Sequence, residues 1–361
     1  MLATQEHHTA AARPATGSLE TPQRRMLFAG PVVASVSILM ALLMTDAAGV
    51  PLRDPDHVAG RRLMLAVCFV GVLIWLDVLI RAGRRSRRLR PSRAAMRSVR
   101  RERWTLGRGV AVGAALLSFY VTYLAYRNLK SVVPLLRPGE LFDRQLAELD
   151  RSLFGGNDPA ALMHTLLGTG LPTHILSAVY MLFFLFIPGT LALALVFSPD
   201  LRAGLFYATA QSLNWVLGAG SYFLLPSLGP IYAEPSAFAN LPATGVSQLQ
   251  NILLDQRLEF LSDPAAGSAQ SIAAFSSLHV SIFFTAAVAA HLLGLGRRVK
   301  IVAWVLVGLT TAATIHLGWH YVLDDVGGVF IALLALAMAR ALTGFDLGIA
   351  RRLSTPDPSP A

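Results

Sequence analysis

Two short stretches of this 361-residue chain hold residue types that can do chemistry together. One is Phe275-Ser276-Ser277-Leu278-His279-Val280-Ser281. The other runs Thr314-Ile315-His316-Leu317-Gly318-Trp319-His320-Tyr321-Val322-Leu323-Asp324-Asp325-Val326-Gly327-Gly328. His320 and Asp324 are four apart, so on one helix face the carboxylate holds one imidazole nitrogen and leaves the other free as a nucleophile. Ser276 or Ser277 suits a helix N-cap, which aims the next backbone N–H groups and the positive end of the helix dipole at one point. Phosphate binds readily at such a point, and His279 lies one turn further along the same rim. Two histidines, one aspartate and a phosphate-friendly helix start are a set for phosphoryl transfer.

The scaffold that must hold them is apolar. Hydrophobic residues make up 54% of the chain and charged ones 14%, with a mean hydropathy of +0.54. A soluble domain carries about 25% charge. Such apolarity excludes a disordered polycation, and the single cysteine, Cys68, excludes a disulfide-stapled domain; it reads as a buried small apolar side chain in the second span. Windows of about 20 apolar residues fall near 27–45, 63–80, 109–129, 172–197, 204–225, 275–295, 300–318 and 321–340. The expectation is an all-α polytopic integral membrane protein of about eight transmembrane helices, the first a retained anchor and no cleaved signal.

Basic residues orient it. Between Arg81 and Arg108 there are twelve arginines and one acid, Glu102, which marks that stretch as cytoplasmic. Alternation then puts both termini inside and the histidine motifs outside, in a bacterial plasma membrane. The arginine run reads as a topology signal that also meets anionic lipid, with no nucleic-acid partner. The expected organisation is a disordered cytoplasmic tail (1–22), a two-helix addition (23–80), an arginine-rich cytoplasmic loop (81–108), a six-helix catalytic core (109–345) and a second tail (346–361).

Two outer loops flank the motifs. Leu141, Leu146, Leu149 and Leu153 are spaced for a helix lying in the interface, either a plain cover or a lid, and a second helix can start after Asp158-Pro159. The segment from Leu225 to Ile272 is rich in Pro and Gly and reads as an irregular wall for a polar site.

Ser277-Leu278-His279, followed about forty residues later by His320-Tyr321-Val322-Leu323-Asp324, resembles the second and third signature motifs of the type-2 phosphatidic acid phosphatase superfamily. It is most similar to the inositol phosphorylceramide synthase branch, whose third motif reads His-Tyr, two residues, Asp, then Gly. The resemblance covers about 109–340. It implies a six-helix membrane fold in which His320 becomes a phosphohistidine oriented by Asp324, and His279 protonates the leaving oxygen and then activates water or an alcohol. It implies no metal and no cofactor, and membrane lipids with a lipid-linked phosphate as partners and substrate; oligomeric state is outside its reach.

The chain also departs from the pattern. Lys130, six residues, Arg137-Pro138 matches the first motif's string, but one outer loop too early. The only basic residue in the expected loop is Arg257. The third motif's usual Arg, six before the nucleophile, is Thr314 here, so Arg137, Lys130 or Arg257 is left to balance the phosphate, with Ser276 and Ser277 as further binders. His316, Asp325 and Tyr321 are candidates for the surrounding layer, and Trp319 and Tyr321 read as interfacial aromatics. Asn214 and Gln211 suit interhelical hydrogen bonds, and a transporter using these groups as a proton relay is the rival class.

Overall fold

In an apolar solvent every backbone N–H and C=O must be satisfied within its own segment, and the chain answers with helices throughout. The computed structural model describes residues 22–54, 60, 63–265 and 269–346. The two expected tails lie outside these apart from Pro22 and Asp346. The helices in order are α1 (Pro22–Ala47), α2 (Leu63–Ser86), α3 (Arg93–Arg103), α4 (Leu106–Leu136), α5 (Asp143–Leu153), α6 (Pro159–Leu167), α7 (Leu171–Ala192, prolonged by a π turn, Leu193–Phe197), α8 (Leu201–Leu224), α9 (Pro230–Ala233), α10 (Gly245–Ser262), α11 (Leu278–Leu292), α12 (Arg297–His316) and α13 (Val322–Thr343). No strand occurs among the described residues.

All eight expected spans are helical, and six are long and apolar enough to cross a membrane: those of α1, α2, α4, α7, α12 and α13. The other two differ for physical reasons. α11 is 15 residues long because its N-cap is Ser277, after the start expected from hydropathy. α8 is the hub of the bundle, packed by α1, α4, α11 and α13, so protein replaces lipid around it and polar side chains are tolerated. Every residue from Gly204 to Trp215 is buried. Asn214 Nδ2 donates to Gln211 Oε1 (3.1 Å) and Thr285 Oγ1 (2.9 Å), while its Oδ1 accepts from Ser281 (2.8 Å). Asn214 and Gln211 are thus interhelical partners, as their positions suggested.

The first two helices join the bundle differently. α1 runs along α4 and reaches α8 and α13. α2 packs mainly on α3 and leaves most of its surface outward, Cys68 included, so that thiol is exposed and not buried.

The arginine-rich stretch 81–108 is no plain loop: it ends α2, forms α3 and begins α4. Buried Asp77 on α2 accepts from Arg81 Nε (2.8 Å), Arg103 Nε (2.7 Å) and Trp104 Nε1 (3.1 Å). Arg103 also donates to the carbonyls of Val196 and Ser198 (2.8 Å each), and Arg108 to that of Ser198 (2.9 Å). The last carbonyls of α7's π turn need donors, and cations suit the negative end of a helix dipole.

At the other end of the bundle the segment 225–274 is more ordered than its Pro and Gly content implies. It contains α9, a 3-10 turn at Pro235–Phe238 and the 18-residue α10, which opens with a capping box of Thr244 and Ser247. The expected second outer helix is α6, capped by Asp158 onto Ala161 N–H (3.0 Å).

α13 crosses the start of α11 in backbone contact. A Cβ at Gly328 would lie 2.4 Å from the Ser277 carbonyl oxygen, and one at Gly327 2.8 Å from Ser276 Cβ. Gly328→Ala should therefore force the two helices apart, lowering stability by about 1–3 kcal/mol. Thermal unfolding in detergent checks this, with Gly308→Ala, where a Cβ meets nothing within 4 Å, as the control that should not shift.

Candidate active site

His279 sits on the first turn of α11, where the Ser277 hydroxyl accepts from Val280 N–H (3.4 Å). Its ring is held in an aromatic column: Tyr180 stacks on it with centroids 4.2 Å apart, Phe183 lies at 4.0 Å on a tilt, and Trp319 stacks on the far face of Tyr180 at 5.2 Å. His279 Nε2 is buried with no hydrogen-bond partner.

His320 lies in the short link between α12 and α13. The link folds back because Trp319 and His320 donate their N–H groups to the Thr314 carbonyl (2.9 and 3.3 Å). Gly229, at φ 98°, lets a neighbouring loop pass against it: a Cβ there would fall 2.4 Å from the Trp319 carbonyl oxygen. The His320 Nδ1 is 3.3 Å from Asp324 Oδ2, and that oxygen also accepts the Tyr321 N–H (2.9 Å). Asp324 Oδ1 is buried and unpartnered. The imidazoles of His279 and His320 are 6.2 Å apart, centroid to centroid. Burial in the rim lowers the His320 pKa to about 4, opposed by the charge of Asp325 and a hydrogen bond to the Ala274 backbone and reinforced by Lys130. Neutral His320 therefore prevails at ordinary pH, with Asp324 fixing which nitrogen faces inward.

The remaining candidates fall into place around this pair. Lys130 and Arg137, seven apart, share a face of α4. The Lys130 ammonium lies 4.9 Å from the Tyr222 ring centroid and 5.8 Å from that of Tyr126, and its charge reaches His320. Because α4 packs on α8, its C-terminal end arrives at the same rim as the 269–275 segment, despite being an outer loop early in sequence. Arg137 donates to the Phe223 carbonyl and to Glu140. Arg137 and Arg257 line one small cavity of about 70 Å³. Gln270 joins Arg257 to α4: it accepts from Arg257 (3.3 Å) and donates to the Lys130 carbonyl (2.8 Å).

Several side chains sit elsewhere than their sequence positions implied. Ser276 and Ser277 are buried, Ser276 hydrogen-bonded to Ser221 (3.2 Å) and Ser277 engaged as the cap. His316 is turned to α7, where its Nε2 meets Thr173 Oγ1 (2.8 Å), while its carbonyl contacts His164 Nε2 (2.8 Å). Asp325, by contrast, is buried next to the pair, accepting from Thr314 (3.0 Å) and from Ser277, and its charge acts on His320. Trp319 and Tyr321 are buried too and are not belt aromatics. Trp319 closes the aromatic column, and the Tyr321 hydroxyl donates to Asp143 (3.2 Å).

Asp143 and Asp150 are the residues that sequence reasoning missed. The inward face of α5 is Asp143, Leu146, Ala147 and Asp150, whereas Leu141, Leu149 and Leu153 point out. Asp150 accepts the N–H groups of Val322 (2.7 Å) and Leu323 (3.2 Å), the first turn of α13. Asp143 accepts those of Leu228 (3.0 Å) and Gly229 (2.9 Å). Burial raises the pKa of both carboxyls and lowers that of Arg257 beside Asp143. The signal was there: two acids seven apart flanking Leu146 and Ala147 mark a helix face that seeks N–H donors.

With this geometry in hand, comparison with known proteins identifies the class. The sequence model of the PAP2 superfamily matches residues 144–338, more than half the chain and inclusive of His279, His320 and Asp324. The chain belongs to the PAP2 superfamily, an all-α membrane fold whose function is of the phosphatase or phosphotransferase type. No curated protein and no solved structure matches it.

The neutral state of His320 has a stability consequence that does not depend on activity. Unfolded histidine takes up its proton near pH 6.5 and folded His320 only near 4, so between these values the unfolded state binds more protons. His320 then supports the fold least at low pH, and stability falls as pH drops from about 6.5 to 4. Melting curves over that window should steepen less with acid in His320→Gln than in the parent. An unchanged pH slope would show that the ring is protonated freely in the fold.

Proposed function

We propose that this protein transfers the phosphoryl or headgroup phosphate of a lipid-linked phosphate through a phosphohistidine on His320. The observation that carries the reading is the opposed pair of imidazoles, 6.2 Å apart, with one of them held through Nδ1 by a buried carboxylate. His320 attacks phosphorus in line through Nε2, whose lone pair is free because Nδ1–H is given to Asp324. The P–O bond to the leaving group breaks, and His279 gives that oxygen a proton. His279 then takes a proton from the incoming hydroxyl, whose oxygen displaces His320 from phosphorus. Lys130, with Arg137 and Arg257 beside it, balances the phosphate charge in place of the missing motif arginine.

Both water and an alcohol can make the second attack. The walls of Tyr180, Phe183 and Trp319 and the similarity of the third motif to the inositol phosphorylceramide synthase branch favour a lipid alcohol, which makes the protein a headgroup transferase. The arginine bias favours termini on the cytoplasmic face and the histidines on the opposite one. The reaction as written uses no metal.

Purified protein is to be incubated with a panel of phospholipids and polyprenyl phosphates in EDTA, with free phosphate and new lipids followed by mass spectrometry. A new phosphodiester lipid is expected; free phosphate alone would make the protein a hydrolase. His320→Ala should lose activity by at least about 10³-fold and Asp324→Asn by less. Wild-type turnover in His320→Ala would end the mechanism. Because His320 must be neutral to attack and its pKa is about 4, kcat/KM should fall on the acid side only as pH approaches that value.

A further inference from the structure

The far end of α4 holds a second charged site. Thirty-one helical residues separate the two ends of α4, about 45 Å, so this site is remote from the histidines. A cavity of about 560 Å³ lies between the ends of α2, α3 and α4, and its charged lining is Arg81, Arg84, Arg85, Arg103, Arg108 and Glu102. Against five arginines stand two carboxylates, Glu102 on the rim and Asp77 behind. Glu102 is engaged by Arg85 (2.7 Å) and Ser98 (2.6 Å). The wall is rigid: Arg81 and Arg103 are pinned to Asp77, Arg103 and Arg108 to carbonyls of the α7 terminus, and Val99 of α3 is buried against Val78 and Ala82. Arg108 Nε is buried and has no partner, so one donor inside the wall is left over.

We propose that this cavity binds the phosphate of an anionic lipid headgroup from the leaflet at the arginine end. Fixed guanidinium forks match phosphate oxygens in pairs, and basic pockets between membrane helices are of the size and sign that take such headgroups. The outward face of α2 beside the arginines is apolar, with Ile80, Trp75 and Val72 exposed in turn away from the charge, and this face takes the ligand's acyl chains. This site stands apart from the reaction proposed above.

The test is native mass spectrometry of the detergent-purified full chain titrated with phosphatidylglycerol, with phosphatidylcholine of the same acyl chains, and with inorganic phosphate. A one-to-one phosphatidylglycerol adduct should form where phosphatidylcholine forms none. Arg84→Gln with Arg85→Gln, both on exposed side chains, should weaken it about tenfold. Glu102→Gln, which removes a rim acid, should tighten it. Inorganic phosphate competing for the adduct with the same dependence on these variants would support the anion site and name a free anion as its ligand. Equal binding of the two lipids would overturn the proposal, as would an adduct indifferent to all three substitutions. So would an adduct lost in Lys130→Ala and kept in the arginine variants, since it would belong to the histidine end.

Discussion

The contact of Gly327-Gly328 on α13 with the Ser276-Ser277 turn is the constraint on which the site depends. His279 belongs to one helix start and His320 to the lead-in of another, and no continuous element joins them. Their separation is set by how closely the two backbones approach, and a single methyl group at Gly328 would enter the Ser277 carbonyl. The contact is reinforced by the Ser277 N–H, which donates to the Asp324 carbonyl (2.9 Å), and by Asp325, which accepts from Ser277 on one helix and Thr314 on another. Four elements thus converge on the few residues between Thr314 and Gly328.

That convergence explains why buried polar groups are so dense in a chain this apolar. A helix end that approaches another inside a membrane protein exposes N–H and C=O groups that water would otherwise satisfy. Asp150 supplies the acceptors for the first turn of α13, Asp143 those for the Leu228–Gly229 turn, and Gln270 and Ser221 serve the segment before α11. α5 is therefore a strap that turns Asp143 and Asp150 in beside Leu146 and leaves Leu149 and Leu153 out. Its burial of two carboxyls is offset by several N–H donors each, which is why it can hold the rim without a cation at every acid.

Much of this was legible in the sequence and some was not, for definite reasons. The spans, the pairing of His320 with Asp324 and the nearness of His279 follow from local rules: apolar length, four-residue spacing and a Ser cap. Resemblance to the phosphatase superfamily supplied the class. What failed were readings that treated a residue's sequence neighbourhood as its environment. Ser276 and Ser277 look exposed at a helix start, yet the crossing of α13 buries both side chains. Trp319 and Tyr321 look interfacial by hydropathy, yet α5, α9 and the 3-10 turn lie over them. Lys130 and Arg137 stand one outer loop early because loop order is not spatial order: α4 delivers them to the rim through its packing on α8, a long-range fact that no spacing rule encodes.

The same helix explains how two charged ends coexist. α4 carries Arg108 at its start and Lys130 and Arg137 near its finish, with an apolar middle between them. At the start, guanidinium groups close the carbonyl end of α7 and one buried acid, Asp77, gathers them. At the finish, a lysine lies near two tyrosine rings and its charge reaches His320, while Arg137 pairs with Glu140 and lines a small cavity with Arg257. In the first place cations answer a helix dipole and in the second the charge of Lys130 bears on His320. A 31-residue helix keeps the two ends about 45 Å apart, well beyond a Debye length of about 8 Å, so the charge that orders one end has little effect on the other.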